Sequence, residues 1–480
     1  MVDSPNNSGS TPRRNGVLGL LALLFVGADL LALFTYLGHR SYLVSPVWIF
    51  LCVYAVLFCL YVYAAGRIIP AIPPKYNKIT VAIILGFALA FRLVVLPAPP
   101  SLSTDIYRYV WDGRLTDHQI NPYRWAPNAS MLRWLRDENW DRMEYKAYQT
   151  IYMPTSQFIF AGEYALFKEN LTGYKAVYTC FDLGIILLMG SLLASTGRRL
   201  TLMVWYAWCP LPVIEVSLTG HQDVVGVFFL LLAFVLAARN KPPEAIALAL
   251  TAAALTKGFA LMLMPVFAMM YGRRFIVTSL IALVYLSMPI LVYLHDFLHG
   301  MQQYLDTVHV NSSLFSLLDT GMRHVTRLHS FIVEKLSDVA ILAIVFWSAR
   351  TRPRDLQDLM RRCFVVLAVI LLVVPTLFPW YLSWVLPFMP MLGRRISWAF
   401  VLLTGLVAFL YTFYISLSVL WWAPVLEYVP FYIVLAWELY QWKKRDTAEK
   451  LGETSTEGAA LPSLAGQPET SLPILSSPPF

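Results

Sequence analysis

Residues 103–114 concentrate side chains that can accept a proton or bind a phosphate or a sugar, namely two acids, two arginines and three aromatics. Asp105 and Asp112 are seven residues apart, so a helix would place both carboxylates on one face. A carboxylate is a candidate general base, and a cation such as Arg108 is a candidate ligand for a phosphate. The pattern is equally typical of a surface helix capped by Thr104 and Asp105, with its arginines paired to neighbouring acids.

Other polar residues interrupt apolar segments further along the chain. His221 and Asp223 follow one such segment, and Lys257 lies in a short break between two others. Ionisable groups in these positions are costly and usually face a cavity or a charged partner. Simpler interpretations remain open, in which His221 and Asp223 are loop residues and Lys257 pairs structurally with a carbonyl or an acid. Trp380 and Tyr381 fit an interfacial aromatic pair equally well.

The elements that must position these residues are membrane-spanning helices. Of the 480 residues, 58% are hydrophobic and 14% are charged, against about 25% charged residues in soluble domains. The mean hydropathy of +0.59 is spread along the whole chain. This composition excludes soluble enzymes and nucleic-acid-binding proteins. It predicts an all-α, polytopic transmembrane bundle of about 12–14 spanning helices with a large outer loop containing interfacial helices.

Candidate spans follow directly from the apolar segments. They are residues 17–37, 43–65, 79–98, 174–196, 200–218, 223–238, 244–257, 259–271, 275–294, 332–349, 363–376, 380–393, 396–420 and 424–441. Several are shorter than the ~17 residues that a lipid-exposed spanning helix needs, which makes the exact count the weakest part of this prediction.

The basic residues alternate along the chain, which predicts the orientation of the protein. Odd-numbered connections hold more than half of the 37 Lys and Arg residues, whereas the other short connections hold almost none. The positive-inside rule therefore predicts an inner (plasma) membrane protein with both termini in the cytoplasm and outer loops at about 99–173 and 295–331. This pattern requires residues 156–167 to form an interfacial helix and not a span.

The chain accordingly divides into three predicted parts. Residues 1–16 form a cytoplasmic N-terminal segment, and residues 17–442 form the transmembrane domain that carries the outer loops. Residues 443–480 end in a stretch rich in Ser, Pro, Gly, Glu and Thr, which predicts a disordered cytoplasmic tail.

Several short motifs carry a family resemblance when they are taken together. In chain order they are residues 103–113, Ile120-Asn121-Pro122-Tyr123, Ile151-Tyr152-Met153-Pro154, Gly220-His221-Gln222-Asp223, Thr256-Lys257 and Pro379-Trp380-Tyr381. This set, spread over about residues 96–387, resembles the polytopic GT-C glycosyltransferases, and more narrowly the bacterial polyprenyl-phosphate-mannose-dependent mannosyltransferases. The resemblance implies a catalytic aspartate at the position of Asp105 and a polyprenyl-phosphate sugar as donor.

Two departures from the family pattern bear on the chemistry. Thr104 stands where many members have a second acid, and Met153 stands where a proline is usual. The first departure argues against a paired-carboxylate metal site. The five cysteines lie in apolar segments without paired spacing or accompanying histidines. We therefore expect neither a metal nor any other cofactor.

With this resemblance, each candidate residue receives an expected role. Asp105 is the expected general base, Arg108 and Lys257 are expected to bind phosphate, and His221 and Asp223 are expected to contact sugar or phosphate. The remaining expected substrate-binding residues are Tyr107, Tyr109, Asp112, Tyr123, Tyr152, Trp380 and Tyr381. A single displacement from a β-linked donor would invert the anomeric carbon and give an α-linkage. The expected partners are the donor, a glycolipid or glycan acceptor and membrane lipids.

Two other classes of function fit parts of the sequence. A transporter or flippase of a lipid-linked envelope precursor would also contain many helices with buried charges, but its site usually lies near the bilayer midplane on broken helices. The polar residues here are concentrated instead in a predicted outer loop. A non-catalytic scaffold would leave Asp105, His221 and Lys257 without a role.

Overall fold

The computed structural model describes residues 11–40, 43–392, 397–413 and 422–457, with side chains described for 16–40, 43–392, 397–413 and 422–444. Within these ranges every regular element is helical, which confirms the predicted all-α fold. The helices of nine or more residues are α1 (Thr11–Gly38), α2 (Val47–Tyr63), α3 (Asn77–Val95), α4 (Asp105–Asp117), α5 (Pro154–Phe167), α6 (Leu171–Ser195), α7 (Asp223–Ala238), α8 (Pro243–Ala254), α9 (Met264–Leu286), α10 (Leu294–Thr307), α11 (Leu314–Met322), α12 (His329–Ala349), α13 (Leu356–Val373), α14 (Trp398–Leu406) and α15 (Trp422–Glu457).

Shorter helical turns connect these helices. They are Ala64–Ile68, Ile69–Ala71, Pro74–Tyr76, Ser130–Leu135, Glu138–Arg142, Leu200–Met203, Val204–Ala207, Pro210–Pro212, Val213–Leu218, Gly258–Leu263, Met288–Leu291, Pro379–Trp384, Leu386–Met391 and Val407–Thr412.

Five helical stretches of the described chain are long and apolar enough to cross a membrane, which agrees with a multi-pass protein. They are Gly16–Gly38, Val47–Ala71, Pro74–Val95, Leu171–Ser195 and Gly258–Leu286. A sixth candidate is the pair Leu200–Ala207 and Pro210–Leu218, which is bent by 52°. The predicted span 200–218 is therefore a broken helix. Pro210 and Pro212 explain the break, because proline has no N–H to donate to the preceding turn.

Helix α9 is interrupted at Gly272, where φ is +69° and ψ is −154°. The rings of Phe267 and Phe275 are 6.0 Å apart, although eight residues of straight helix would separate them by about 12 Å. The chain therefore turns sharply at Gly272. The sequence predicted two spans, 259–271 and 275–294, on either side of this position, and only glycine adopts such a backbone conformation without strain.

Basic side chains gather at one end of the bundle. Arg199 donates a hydrogen bond to Asn77 Oδ1 at the start of α3, with a distance of 3.1 Å. Arg274 forms an ion pair with Glu244 at the start of α8, with a distance of 2.6 Å. These arginines come from separate connections that the sequence predicted to lie on the cytoplasmic side. Ser195 and Tyr271, which lie a few residues before Arg199 and Arg274, line one pocket, so these two connections lie at the same end of the bundle.

The predicted orientation gives an expected labelling pattern for single cysteines. In a background without the exposed Cys52, Cys59 and Cys180, cysteines at the exposed positions Asn128 and Thr320 should react with an impermeant thiol reagent in intact cells.

The exposed position Lys241 is the matched site at the opposite end of the bundle, and a cysteine there should react only after the membrane is permeabilised. Labelling of the Lys241 position in intact cells, with protection of the other two positions, would reverse the orientation.

A buried ion pair holds three elements of the bundle together. Arg92 on α3 and Asp182 on α6 are both fully buried, and Arg92 Nε lies 2.5 Å from the Asp182 carboxylate. The Tyr206 hydroxyl donates to the same carboxylate at 2.5 Å, and Arg92 also donates to the carbonyl of Ala207 at 3.0 Å. This network fixes α3 and α6 against the broken helix that leads towards His221.

The last described helix extends into the segment that the sequence assigns to the cytoplasmic tail. Residues 443–457 belong to α15, so the helix continues past the predicted start of the tail at 443. Residues 458–480 lie outside the described residues, as do residues 1–10 of the N-terminal segment. Lys and Glu residues between 443 and 457 are good helix formers, which explains the continuation.

Candidate active site

A cavity of about 420 Å³ lies at the end of the bundle where α7 begins and α8 ends. Residues 104, 105, 108 and 109 and most of residues 143–153, all from the first predicted outer loop, form one wall. Phe297, Met301 and Tyr304 of α10, from the second predicted outer loop, form another wall. The two predicted outer loops therefore meet at the same cavity.

Most of the predicted site residues line this cavity, and the others lie behind its walls. The lining set comprises Asp105, Arg108, Tyr109, Tyr152, Asp223, Lys257, Trp380 and Tyr381. Tyr107, Asp112, Tyr123 and His221 are buried and lie outside the lining.

Asp105 is the first residue of α4, and its side chain is 32% exposed. Its backbone N–H donates to Ser103 Oγ at 3.2 Å. Within the described chain, the side chain of the N-cap residue Thr104 makes no capping hydrogen bond. The Asp105 carboxylate lies at the cavity wall, where it is accessible to a substrate hydroxyl.

The surroundings of Asp105 make its carboxylate a stronger base than an ordinary aspartate. Burial raises the pKa of Asp105, because the surrounding protein solvates the charged form poorly. Charge on His221 and Lys257 and a hydrogen bond from Tyr152 act in the opposite direction, whereas the charge of Asp223 adds to the increase. The net effect is an increase, so the carboxylate holds a captured proton more tightly.

Lys257 provides a cation at the cavity wall. Its ammonium group lies 2.6 Å from Asp223 Oδ1, which also accepts a hydrogen bond from Trp384 Nε1 at 3.2 Å. The ammonium group lies 3.5 Å from the centroid of the Tyr381 ring. The Lys257 side chain is 22% exposed, so it can still meet a phosphate in the cavity.

Arg108 is held from behind by Asp112. Its Nε lies 2.9 Å from Asp112 Oδ1, and its Nη1 donates to the carbonyl of Tyr148 at 3.2 Å. The buried Asp112 also accepts hydrogen bonds from Thr150 at 2.5 Å and from Gln157 at 2.8 Å. The two carboxylates of α4 therefore have different surroundings, because Asp105 lies at the cavity and the Asp112 carboxylate is enclosed by three donors.

The predicted tyrosines form an aromatic layer behind and beside Asp105. The Tyr109 ring stacks on Phe160 at 4.6 Å and meets the edge of Tyr152 at 5.1 Å. Tyr123 is fully buried, and its hydroxyl donates to the Tyr152 carbonyl at 2.8 Å. Tyr123 thus supports the segment that carries Tyr152, while the buried Tyr107 lies outside the cavity lining.

His221 is buried beside Asp105. Its Nε2 lies 3.9 Å from Asp105 Oδ2, and its Nδ1 lies 3.1 Å from Glu215 Oε2. The imidazole ring stacks on Trp380, with 3.5 Å between ring centroids and 17° between ring planes. Gly220 precedes it with φ +92°, a left-handed conformation that favours glycine and turns the chain into α7.

Comparison with known families assigns this arrangement to an enzyme class. The model of the family described as alpha-(1->6)-mannopyranosyltransferase, N-terminal domain, matches residues 16–273, more than half of the chain. The chain belongs to this family. No curated protein and no solved structure matches it. The match confirms the GT-C-like mannosyltransferase resemblance and implies a sugar donor and a glycan acceptor in a membrane. It gives no support to a transporter.

Sequence reasoning did not single out many of the residues that line the cavity of this mannosyltransferase, among them Glu144, Tyr304 and Phe378. Burial, followed by the charge of Asp105, raises the pKa of Glu144. Phe297, Met301 and Tyr304 are spaced at four and three residues, a helical periodicity that indicates one face of α10. Nothing in that pattern indicates that the face meets the first outer loop.

The described residues of this mannosyltransferase offer few side chains that could bind a metal ion together. Among the described residues, no group of three or more His, Cys, Asp or Glu side chains is placed to hold a metal ion. The lining acids Asp105 and Asp223 instead interact with Lys257.

Proposed function

We propose that this mannosyltransferase moves mannose from a polyprenyl-phosphate donor to a hydroxyl of a lipid-linked or glycan acceptor. The observation that carries the proposal is the placement of the Asp105 carboxylate and the Lys257 ammonium group in one cavity with apolar walls. Such a donor consists of a hydrocarbon chain, a phosphate and a sugar. The hydrocarbon chain needs an apolar surface, and the phosphate needs a cation. A base is needed beside the sugar, where the acceptor hydroxyl attacks.

The apolar part of the cavity suits a polyprenyl chain. Met153, Phe259, Met301 and Leu305 are among its lining residues. The Leu305 side chain is also exposed on the outside of α10, which connects the cavity wall with an apolar outer surface. A hydrocarbon chain that packs against these residues is removed from water, which stabilises binding by about 25 cal/mol per Å² of buried apolar area.

In the proposed reaction, Asp105 is the general base. Its carboxylate takes the proton of the acceptor hydroxyl while the hydroxyl oxygen forms a bond with the anomeric carbon. The bond between that carbon and the phosphate oxygen breaks, and the electron pair leaves with the phosphate. Lys257 and Arg108 are the cations proposed to stabilise the charge that develops on the phosphate. One displacement inverts the anomeric carbon.

We further propose that this reaction takes place at the outer face of the inner (plasma) membrane. The alternation of basic residues along the sequence supports cytoplasmic termini. The contribution of both predicted outer loops to the cavity supports an outer active site. The transmembrane domain would then extend over residues 17–442.

We expect transfer to proceed without a divalent ion. Thr104 precedes Asp105 where a second acid would help to bind Mg²⁺ or Mn²⁺ through oxygen ligands. Purified protein assayed in excess chelator should retain its activity within about twofold, a change small on the scale of catalytic effects. Complete loss of transfer, with recovery on addition of magnesium or manganese, would contradict this expectation.

The proposed donor can be tested with a panel of labelled sugars. Purified protein should transfer label from polyprenyl-phosphate mannose to acceptors in a host lipid extract, and it should do so more rapidly than from other polyprenyl-phosphate sugars. A parallel reaction with nucleotide-linked mannose is the matched control for the lipid carrier. Transfer from the nucleotide sugar alone would overturn the proposed donor class.

A further inference from the structure

The two ring nitrogens of His221 have different environments. Nδ1 lies 3.1 Å from the carbonyl oxygen of Glu215, and Oε2 of the same residue is also 3.1 Å away. Both neighbours are hydrogen-bond acceptors, so the proton of the neutral ring belongs on Nδ1. Nε2 then carries a lone pair, and it is directed towards Asp105 Oδ2 at 3.9 Å.

Two buried polar atoms in this cluster have no hydrogen-bond partner among the residues that the structure describes. One is His221 Nε2. The other is Glu215 Oε2, which lies near Nδ1 but accepts no hydrogen bond from it, because the Nδ1 proton is donated to the Glu215 carbonyl. Glu215 Oε1, in contrast, accepts a hydrogen bond from the Tyr411 hydroxyl at 2.5 Å. Burial of a polar group without a partner is unfavourable, because the group loses its hydrogen bonds to water. With a proton on Nε2, the ring would be a cation between the carboxylates of Asp105 and Glu215. Nε2 could then donate to Asp105, and Glu215 Oε2 would face a positive charge.

We infer that His221 is a positioning residue that relieves Asp105 of the acceptor proton, and that Glu215 compensates the charge of the imidazolium so formed. This inference rests on the proposed function, and it assigns His221 to the base and not to the sugar or phosphate. The acceptor O–H bond breaks as an O–H bond forms on Asp105. That bond then breaks as an N–H bond forms on Nε2, and the Asp105 carboxylate is restored.

The surroundings of His221 favour this transfer. The distance of 3.9 Å exceeds the hydrogen-bonding range of about 2.6–3.2 Å, so Asp105 must move towards the ring by about 1 Å. Asp105 is one-third exposed and has room to move, whereas His221 is fixed between Glu215 and Trp380. The stacked Trp380 ring also stabilises a cation at its face.

Other charged groups near the pair are neutralised or engaged elsewhere. Lys257 and Asp223 form an ion pair of 2.6 Å with each other, and both act on Asp105 with opposite sign. The buried Lys175 donates hydrogen bonds to the carbonyls of Ala98 and Leu218, and so holds the chain segments that lead to Asp105 and to His221. Glu215 is therefore the carboxylate in direct contact with His221 from the side opposite Asp105.

The first test replaces Glu215 with Gln and measures kcat/KM against pH. In the inferred step the proton passes from Asp105 to His221, and Glu215 is the carboxylate that faces the resulting imidazolium from the other side. Glu215→Gln removes this compensating charge. We expect kcat/KM to fall by about tenfold at every pH measured, because proton transfer to the ring is less favourable.

Glu163→Gln is the matched control, since Glu163 is also buried and accepts a hydrogen bond from one tyrosine, Tyr178, at 2.8 Å. Glu163 lies outside the cavity lining, so the kcat/KM of Glu163→Gln should stay close to the wild-type value at every pH. A Glu215→Gln profile that coincides with the wild-type profile would overturn the inference.

The second test replaces His221 with Asn, whose amide can keep the hydrogen bond to the Glu215 carbonyl while Nε2 is lost. We expect kcat to fall by about 10- to 100-fold with donor KM unchanged, because the residue acts through Asp105. A rise in KM with normal kcat would instead place His221 on the substrate and overturn the inference.

A spectroscopic test separates this inference from the proposed function. Isotope-labelled histidine in the purified wild-type protein should give an NMR signal of the Nδ1–H tautomer that is missing from His221→Asn. This readout requires no substrate, so it stands even if the donor class is wrong. If the signal that is missing from His221→Asn belonged to the Nε2–H tautomer, the inference would be overturned. Near-normal turnover of Asp105→Asn would instead refute the proposed mechanism.

Discussion

Replacing Asp105 with Asn is expected to lower kcat by about 10²- to 10⁴-fold, the usual contribution of a positioned general base. The amide keeps the shape of the carboxylate and most of its hydrogen bonding, but it cannot take up the proton of the acceptor hydroxyl. Donor affinity should change little, because the cavity and Lys257 remain. Turnover and donor affinity should be measured separately on purified protein with an unchanged elution profile.

Asp117→Asn is the matched control on the same helix. Asp117 pairs with Lys168 at 3.1 Å on the surface, and exposed pairs of this kind contribute about 0–1 kcal/mol, so turnover should stay near normal. Asp112 is a poorer control than its sequence position suggests, because its removal would leave Arg108 without its partner. If the only role of Asp105 were to cap the start of α4, Asp105→Asn would leave turnover nearly unchanged, since Asn caps helices about as well as Asp. That result would refute the proposed base.

Replacing Arg92 with Met is expected to destabilise the folded protein by about 3–5 kcal/mol, because Asp182 would become a buried charge without its counter-ion. Both side chains are fully buried, so water cannot take over the lost contact. Denaturation of the purified protein in one detergent should be followed by helical circular dichroism and by loss of transfer activity.

The double variant Arg92→Met with Asp182→Leu provides the control for this prediction. It should recover most of the lost stability, because replacing both members of a buried pair with apolar groups is often neutral. The recovery should be incomplete, since the Tyr206 hydroxyl also loses its acceptor. A single Arg92→Met variant within about 1 kcal/mol of wild type would show that the pair is not a stabilising contact.

The sequence predicted the helical fold for identifiable reasons. Long apolar segments can satisfy their backbone groups in a membrane only as helices or barrels, so α1, α3 and α6 follow from hydropathy alone. The breaks at Asp105, His221 and Lys257 were visible because charged residues interrupt apolar segments. The structure gathers those three breaks at one cavity.

The sequence could not predict which way each side chain of α4 would face. A seven-residue spacing placed Asp105 and Asp112 on one face, but the environment of that face depends on packing. A Cβ atom at Gly113 would lie 2.4 Å from the Phe160 carbonyl, so α4 is pressed closely against α5. This contact encloses Asp112 and leaves Asp105 at the open end of the helix. The position of α10 over the cavity is likewise a matter of tertiary packing.

The cavity joins two portions of the chain that lie far apart in the sequence. Asp105, His221 and Lys257 lie within residues 16–273, the part that the family model matches. Tyr304, Phe378, Trp380 and Tyr381 come from later residues and line the same cavity. Trp380 stacks on the ring of His221, so the two portions are in direct contact at the candidate site. A fragment that ended at residue 273 would therefore lack part of the wall of its own cavity.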